Sequence, residues 1–370
     1  MKVMAFLLAM AVASAAWAKK APDTAVAATQ TVAIPAAATT TAPAEAATWT
    51  STPVAPIRPA ARLGWNATFA LENGMASAVI VPSIGRLVSF SSGDVPNLFR
   101  IDDWCRGKLP ENPNEFFNAG GDWIWPVAQS RWPSFSENGN DWPPPAVMAD
   151  APWDCSAWED ADGTKCAMLT RKYGAPLNII VSRLFRLEAD SAELVVRQRI
   201  ERTEESDIPV VLWNVSQIAK PDAVALPVAA DSRFEGGLCT LTSNGPAPGS
   251  LSDCGDVRLY TITPGGEVKL GGDSPRAWLA ASRDGNAIFE CAAAGNIPGT
   301  PPDGGCVIEM YSNEGLGYTE IETLGPEIAL RPGTILENTL RFRLARLPAA
   351  ASPCALADTG RALAGEPAAP

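Results

Sequence analysis

The chain has 370 residues with 29 basic and 41 acidic side chains, a formal charge of −12, eight cysteines and no histidine. Such an acidic surface repels phosphate backbones and anionic bilayers, which argues against nucleic acid or a charged membrane surface as partner. The missing imidazole removes the usual zinc site, the Ser–His and Cys–His dyads, and the side chain that most often moves protons near neutral pH.

Residues 1–18, MKVMAFLLAMAVASAAWA, read as a secretory signal: Lys2, an apolar run from Val3 to Val12, then small residues ending in Ala16-Trp17-Ala18. The run is too short to span a bilayer and no second run of spanning length follows, so a periplasmic or secreted protein is expected. From Lys19 to Ala61 the composition narrows to Ala, Pro and Thr, with almost no large apolar residue to anchor a core; this reads as a disordered linker. Residues 349–370 repeat that composition as a flexible Ala-rich tail with one short helical turn.

The body, residues 62–348, alternates apolar and polar residues with the period of a strand. In Ala192–Thr203, Leu194, Val196 and Ile200 fall on one face, with Glu193, Arg197, Arg199 and Glu201 on the other. Thr334–Leu347 repeats this, with Leu336, Leu340, Phe342 and Leu344 inward. Further strands are expected at Ala76–Val81, Arg86–Phe90, Ala167–Tyr173, Leu177–Leu187, Ile208–Val215, Val257–Thr263, Ala277–Ala281, Ala287–Cys291, Val307–Ser312 and Tyr318–Leu324. Turn signals such as Asp162-Gly163, Asp284-Gly285 and Pro332-Gly333 separate many of them, and nothing holds a helical period for three turns. So many antiparallel strands in one chain fold as two large stacked sheets or a closed barrel, an all-β class.

Cysteine usage fits an oxidising compartment. Cys155 with Cys166, Cys239 with Cys254, and Cys291 with Cys306 are each separated by a hairpin-sized segment, which leaves Cys105 and Cys354 as a long-range clamp. Eight cysteines allow on the order of a hundred connectivities, so spacing alone does not choose among them.

Two stretches carry chemistry. Asn118–Pro145 holds Trp123, Trp125, Trp132 and Trp142 beside Asp122, Gln129, Arg131 and Asp141, in a segment whose Gly and Pro content predicts a structured loop rather than a helix or long central strand. Indole faces stack on the C–H face of a sugar while acids, amides and a guanidinium bond its hydroxyls; the plainer reading is that the indoles plug the end of a sandwich. In Tyr318–Leu324, extended geometry puts Glu320 and Glu322 on one face with Cα atoms about 6.6 Å apart, where ionising one raises the pKa of the other once the face is buried. A pair of this kind divides acid and base duties on a sugar or grips its hydroxyls; on an ordinary wet strand it is only solvated.

GGDWIWP, followed by Gln129, Trp132 and the Trp142-Pro-Pro-Pro run, together with IGRLVSFSSGDVPNLF and IETLGPEIALRPG, resembles a domain family of unknown function in the galactose-mutarotase-like superfamily, which includes the aldose 1-epimerases. The resemblance covers about Arg62 to Leu347 and lies in the order and spacing of the three patches. It implies a β-supersandwich whose concave face binds carbohydrate, with Glu322 matching the epimerases' general base. Those enzymes also protonate the ring oxygen with a His, which this chain lacks; Asp122, Asp141 or Glu320 would need a burial-raised pKa to replace it. The expectation is therefore an exported carbohydrate-binding protein, monomeric or weakly associated, with no cofactor and no metal. The alternatives are a sugar epimerase, isomerase or lyase working with carboxylates, and an envelope protein whose Trp-rich loop docks a protein partner.

Overall fold

The computed structural model describes residues 51–112, 116–293, 298–348 and 352–366, so the expected signal and most of the linker lie outside the described residues. In chain order come β1 (Pro53–Pro56), β2 (Ala60–Arg62), β3 (Trp65–Glu72), β4 (Ala76–Val81), β5 (Arg86–Ser92) and β6 (Asp122–Trp125). Next are β7 (Asp154–Asp160), β8 (Lys165–Tyr173), β9 (Ile179–Leu187), β10 (Leu194–Arg202), β11 (Trp213–Ala219) and β12 (Ala223–Pro227). They are followed by β13 (Leu238–Asn244), β14 (Gly249–Asp253), β15 (Val257–Ile262), β16 (Glu267–Gly272) and β17 (Trp278–Arg283). Last come β18 (Asn286–Ala293), β19 (Ile308–Asn313), β20 (Tyr318–Leu324), β21 (Ile335–Arg346) and one helix, α1 (Ala355–Ala364).

The strands form two antiparallel sheets. One has 11 strands in the order β1-β7-β8-β9-β10-β21-β18-β17-β12-β15-β14, and the other has 10 in the order β13-β16-β19-β20-β11-β6-β5-β4-β3-β2. The main core lies between them, where Leu194, Val196 and Ile200 of β10 and Leu336, Leu340 and Phe342 of β21 point inward as their alternation predicts. Strand β4 keeps the predicted bounds, and so does β20. The strand expected at Ile208–Val215 starts only at Trp213, because Pro209 has no N–H to give a ladder; Val210 makes a single bridge to Ile328. The exposed edge strands β13 and β14, LCTLTSN and GSLSD, have too little apolar alternation to be found by pattern.

Both chain segments expected to be loose contribute structure. The end of the linker supplies β1, paired with β7, and most of β2, paired with β3. Residues 352–366 are a docked element rather than a flexible tail: α1 covers the outer side of the 11-stranded sheet, burying Leu356 and Ala357 against Trp278, Phe289 and a floor of small residues, Ala223, Ala225, Ala280 and Ala287. Helix and sheet approach so closely that a Cβ on Gly360 would lie 2.6 Å from the Trp278 ring.

The disulfide pattern also differs from the spacing-based expectation. Cys254 is bonded to Cys354, 100 positions away, and Cys105, Cys155, Cys166, Cys239, Cys291 and Cys306 are free thiols. The β7–β8 register explains one case: Cys155 faces Leu169 while Cys166 faces Trp158, a three-residue offset too wide to bridge. Cys239 lies in a strand of one sheet and Cys254 follows a strand of the other; Cys291 likewise lies in a strand of one sheet and Cys306 just before a strand of the other. Cys105 is buried with its Sγ on the Asp102 carbonyl. The Cys239 and Cys306 Sγ atoms lie 3.7 Å apart.

Closing a loop of 100 residues stabilises a fold mainly by restricting the unfolded chain. Replacing Cys254 and Cys354 together by Ser is expected to cost roughly 2–5 kcal/mol in urea unfolding. Gly360→Leu should also lower the midpoint with the disulfide intact; unchanged midpoints in both variants would show that the docked helix adds no stability.

Candidate functional site

The site is built on β11, at the centre of the ten-stranded sheet between β20 and β6. Its side chains alternate. Asn214 and Ser216 point between the sheets, where Asn214 Nδ2 donates to Glu290 of β18 at 3.1 Å and Ser216 Oγ is hydrogen-bonded to its other carboxyl oxygen at 2.6 Å. Trp213, Val215 and Gln217 therefore take the outer face. Register carries that face across neighbouring strands. One row runs Trp123–Val215–Glu322–Glu309–Gly271–Cys239, a second Gln217–Glu320–Tyr311–Lys269, and a third joins Trp125 to Trp213 and Leu324.

Trp123 and Trp125 thus share a face with Glu320 and Glu322, although nearly two hundred positions separate them in the chain. Gly120 and Gly121 make this possible: both have positive φ, and a Cβ on either would strike the Arg100 or Leu87 carbonyl at 2.2 or 2.4 Å. The predicted loop accordingly contains a four-residue strand, β6, within the sheet. Trp132 is in a 3-10 turn (Gln129–Ser134), 1% exposed, with its ring 5.1 Å from Trp125 and its N–H on the Val127 carbonyl; it backs the other indoles rather than presenting a face. Trp142 is partly buried and, with Phe116, forms an aromatic cover beside Trp125. Gln129 donates to the Asp141 carbonyl, and Arg131 pairs with Glu327 at 3.0 Å, so both bind within the protein.

Asp122 requires a correction. Strand alternation sends it opposite to Trp123, into the space between the sheets, where it is fully buried against Arg183 at 2.5 Å. It is not on the Trp-lined face.

Pattern reading missed several residues on that face. Glu322 Oε2 accepts from Trp213 Nε1 at 2.7 Å and from Lys269 Nζ at 3.2 Å, while Lys269 Nζ lies 2.6 Å from Glu309 Oε2 and 4.9 Å from the Trp213 ring centroid. Burial works against the Lys269 cation, but Glu309 and Glu322 outweigh it and raise its pKa. Glu320 Oε1 accepts from Gln217 Nε2 at 2.7 Å, and Gln217 Oε1 in turn accepts from Arg100 Nη1 at 2.7 Å. Burial, then the neighbouring Glu322, pushes the Glu320 carboxyl up to about 7. Burial, with Glu322 adding to it against the pull of Lys269, raises Glu309 well above the carboxylate range. The Arg86 guanidinium stacks 4.0 Å from the Trp123 ring centroid and bonds Asp150 and the Gly120 carbonyl. An alternating polar pattern on both faces of Trp213–Ala219 was the available sequence signal.

No protein-family model matches the sequence, and no curated protein sequence matches it. Among solved structures, a proposed mutarotase from Salmonella typhimurium superposes with a TM-score of 0.50 at 10% identity, over 79% of this chain and 97% of that one. A galactose mutarotase-like protein from Lactobacillus casei gives 0.49 at 14% identity, covering 75% of this chain and 100% of that chain. A proposed aldose 1-epimerase from Escherichia coli gives 0.49 at 15% identity, covering 76% and 99%. The fold is that of the galactose mutarotase-like proteins. Among the described residues of this mutarotase-like sandwich, no cluster of three or more Cys, Asp or Glu is placed to hold a metal ion.

Directly beneath the Trp-lined face, the mutarotase-like core carries a polar network instead of hydrocarbon. Arg183 of β9 bonds Asp122 and Asn214; Asn214 and Ser216 bond both Asp122 and Glu290; Thr323 donates to Glu290 at 2.9 Å and Gln198 to Asn214 at 2.9 Å. One guanidinium cannot balance two carboxylates, and burial, then the charge of Asp122, raises Glu290 to about 8, so this acid is protonated in the fold at neutral pH. Because the folded pKa lies above the ordinary 4.5, its contribution is fully present below about 4.5 and is lost as pH rises through about 8. Glu290→Gln, which fixes the neutral state, is expected to flatten the decline of unfolding free energy across that window. Identical pH profiles for the variant and the parent would show that Glu290 does not titrate there.

Proposed function

We propose that the outer face of the ten-stranded sheet binds a carbohydrate. The observation that carries this reading is the register of β11, which gathers the Trp123, Trp125 and Trp213 indoles and the Glu320, Glu322 and Gln217 polar groups on one face. Indole planes suit the C–H face of a pyranose, and adjacent carboxylates and an amide suit its hydroxyls. The mutarotase-like fold agrees with a carbohydrate role. Trp123 and Trp125 are each 6% exposed beneath Phe116 and Trp142, so binding requires that aromatic cover to move aside. The protein acts after export in this reading, with Trp213 added to the stacking residues and Asp122 removed from the contact set.

A second reading, sugar epimerisation, is favoured by the unlike settings of the two acids. Glu322 faces an indole N–H and an ammonium, which suits a proton acceptor; Glu320 faces an amide and is pushed up to about 7, which suits a donor in place of the absent His. Glu322 would take the anomeric hydroxyl proton while Glu320 gives one to the ring oxygen, opening the ring.

Saturable quenching or shift of tryptophan emission by a sugar is expected, and Glu322→Gln should weaken that response roughly tenfold or more, the scale of a lost charged hydrogen bond. Absence of any response across a broad glycan panel would sink the binding reading. For catalysis, polarimetry should show anomer interconversion above the spontaneous rate, falling as pH rises past about 7 where Glu320 loses its proton. Glu320→Gln should abolish that acceleration even at saturating sugar; a parent protein that leaves the spontaneous rate unchanged is a binder only.

A further inference from the structure

The charge lining the face goes further and names a class of ligand, an inference that rests on the carbohydrate reading. The neighbouring arginines already have acidic partners: Arg86 bonds Asp150, Arg100 bonds Asp102, and Arg131 bonds Glu327. Lys269 is the cation within the carboxylate group itself, and its ammonium is shared between Glu309 and Glu322. Three carboxyl groups therefore meet one ammonium, since Glu309 stands directly opposite Glu322 on the next strand and Glu320 lies two residues along from Glu322; with no second cation beside them, Glu309 and Glu320 are held toward their neutral forms.

Two buried polar atoms on this face are also without partners. Glu309 is fully buried, yet its Oε1 receives no hydrogen bond among the described residues. The Trp123 indole N–H, in the same row, likewise has no acceptor among them. An unmet carboxyl oxygen and an unmet indole N–H, both inside, are costly unless a ligand completes them. A phosphate or carboxylate on the ligand would add negative charge where every bordering arginine is already engaged. A neutral sugar would leave Glu309 and Glu320 short of a cation and so still held toward their neutral forms. A protonated amine supplies donor hydrogens together with the positive charge that lets these carboxyls ionise.

We propose that the site takes an amine-bearing sugar, a hexosamine, with its ammonium against Glu309, Glu320 and Glu322 and a hydroxyl accepting from Trp123 Nε1. The amine then does for Glu320 and the open oxygen of Glu309 what Lys269 does for Glu322. Selectivity follows from charge as well as shape: hexosamine first, neutral hexose next, hexuronate and hexose 6-phosphate last.

The test uses the full chain near neutral pH with calorimetry or tryptophan emission against glucosamine, N-acetylglucosamine, glucose, glucuronate and glucose 6-phosphate, and the galacto series in parallel. Glucosamine or galactosamine should bind about tenfold tighter than its N-acetyl form, which keeps the shape and loses the charge. Glu309→Gln should remove that preference, read as the ratio of the amine's affinity to that of its N-acetyl form. Equal affinity for the amine and its N-acetyl form, or tighter binding of a uronate or phosphate, overturns the proposal and leaves the carbohydrate reading standing. If Glu309→Gln does not fold, the N-acetyl comparison on the parent protein decides alone. Silence from every sugar overturns the carbohydrate reading and this inference with it.

Discussion

The ion pair between Arg183 and Asp122, with the amide and hydroxyl groups around it, is the constraint on which the site depends. It ties β9 of one sheet to β6 of the other, and Asn214, Ser216 and Glu290 extend the tie to β11 and β18. Burying such charges contributes little net stability compared with a well-packed hydrocarbon core. What it does fix is direction. Strand β6 has only four residues, and Leu87 to Asp122 is its sole registered pair with β5. With Asp122 held inward, Trp123 and Trp125 can only face outward, toward the carboxylates of β20.

The two sides of the central strands therefore carry polar systems of different kinds. Inside, Arg183, Asp122, Asn214, Ser216 and Glu290 bond one another and one acid is kept neutral, although Arg183 Nε and Gln198 Oε1 have no partner among the described residues. Outside, Lys269 is spread between two acids, Glu320 leans on Gln217, and the Glu309 oxygen and the Trp123 N–H are left open. The inner network closes on itself across the two sheets and makes the fold specific, whereas the outer one ends on groups beside the indoles, where a ligand can complete them. This difference, more than the count of indoles, separates a functional face from a decorated end of a sandwich.

Much of this was legible from residue alternation and some was hidden from it. Glu320 and Glu322 were placed on one face by counting along an extended strand, and β10 and β21 showed their inner residues the same way. Asp122 was misassigned because glycines before it and prolines after it disguise four residues of strand; read as extended, Asp-Trp-Ile-Trp separates Asp122 from both indoles at once. Lys269 and Glu309 could not be found by pattern, since their roles come from register between strands that are distant in sequence. The cysteine spacing misled for a related reason: hairpin-sized gaps suggest local bridges, but consecutive strands here change sheets. The tail's Ala and Gly content reads as slack until the aromatic ring it must slide past, Trp278, is in view.

The row from Trp123 through Val215, Glu322 and Glu309 to Gly271 and Cys239 bears on how such a molecule can change over generations. Substitutions edit one position of the row at a time and leave its neighbours facing the same way. Loss of a single codon within β20 instead exchanges Glu320 and Glu322 for Ile321 and Thr323 on that face in one step. Related chains that keep this chemistry should therefore vary freely in the lengths of their turns and hardly at all in the lengths of β11, β19 and β20.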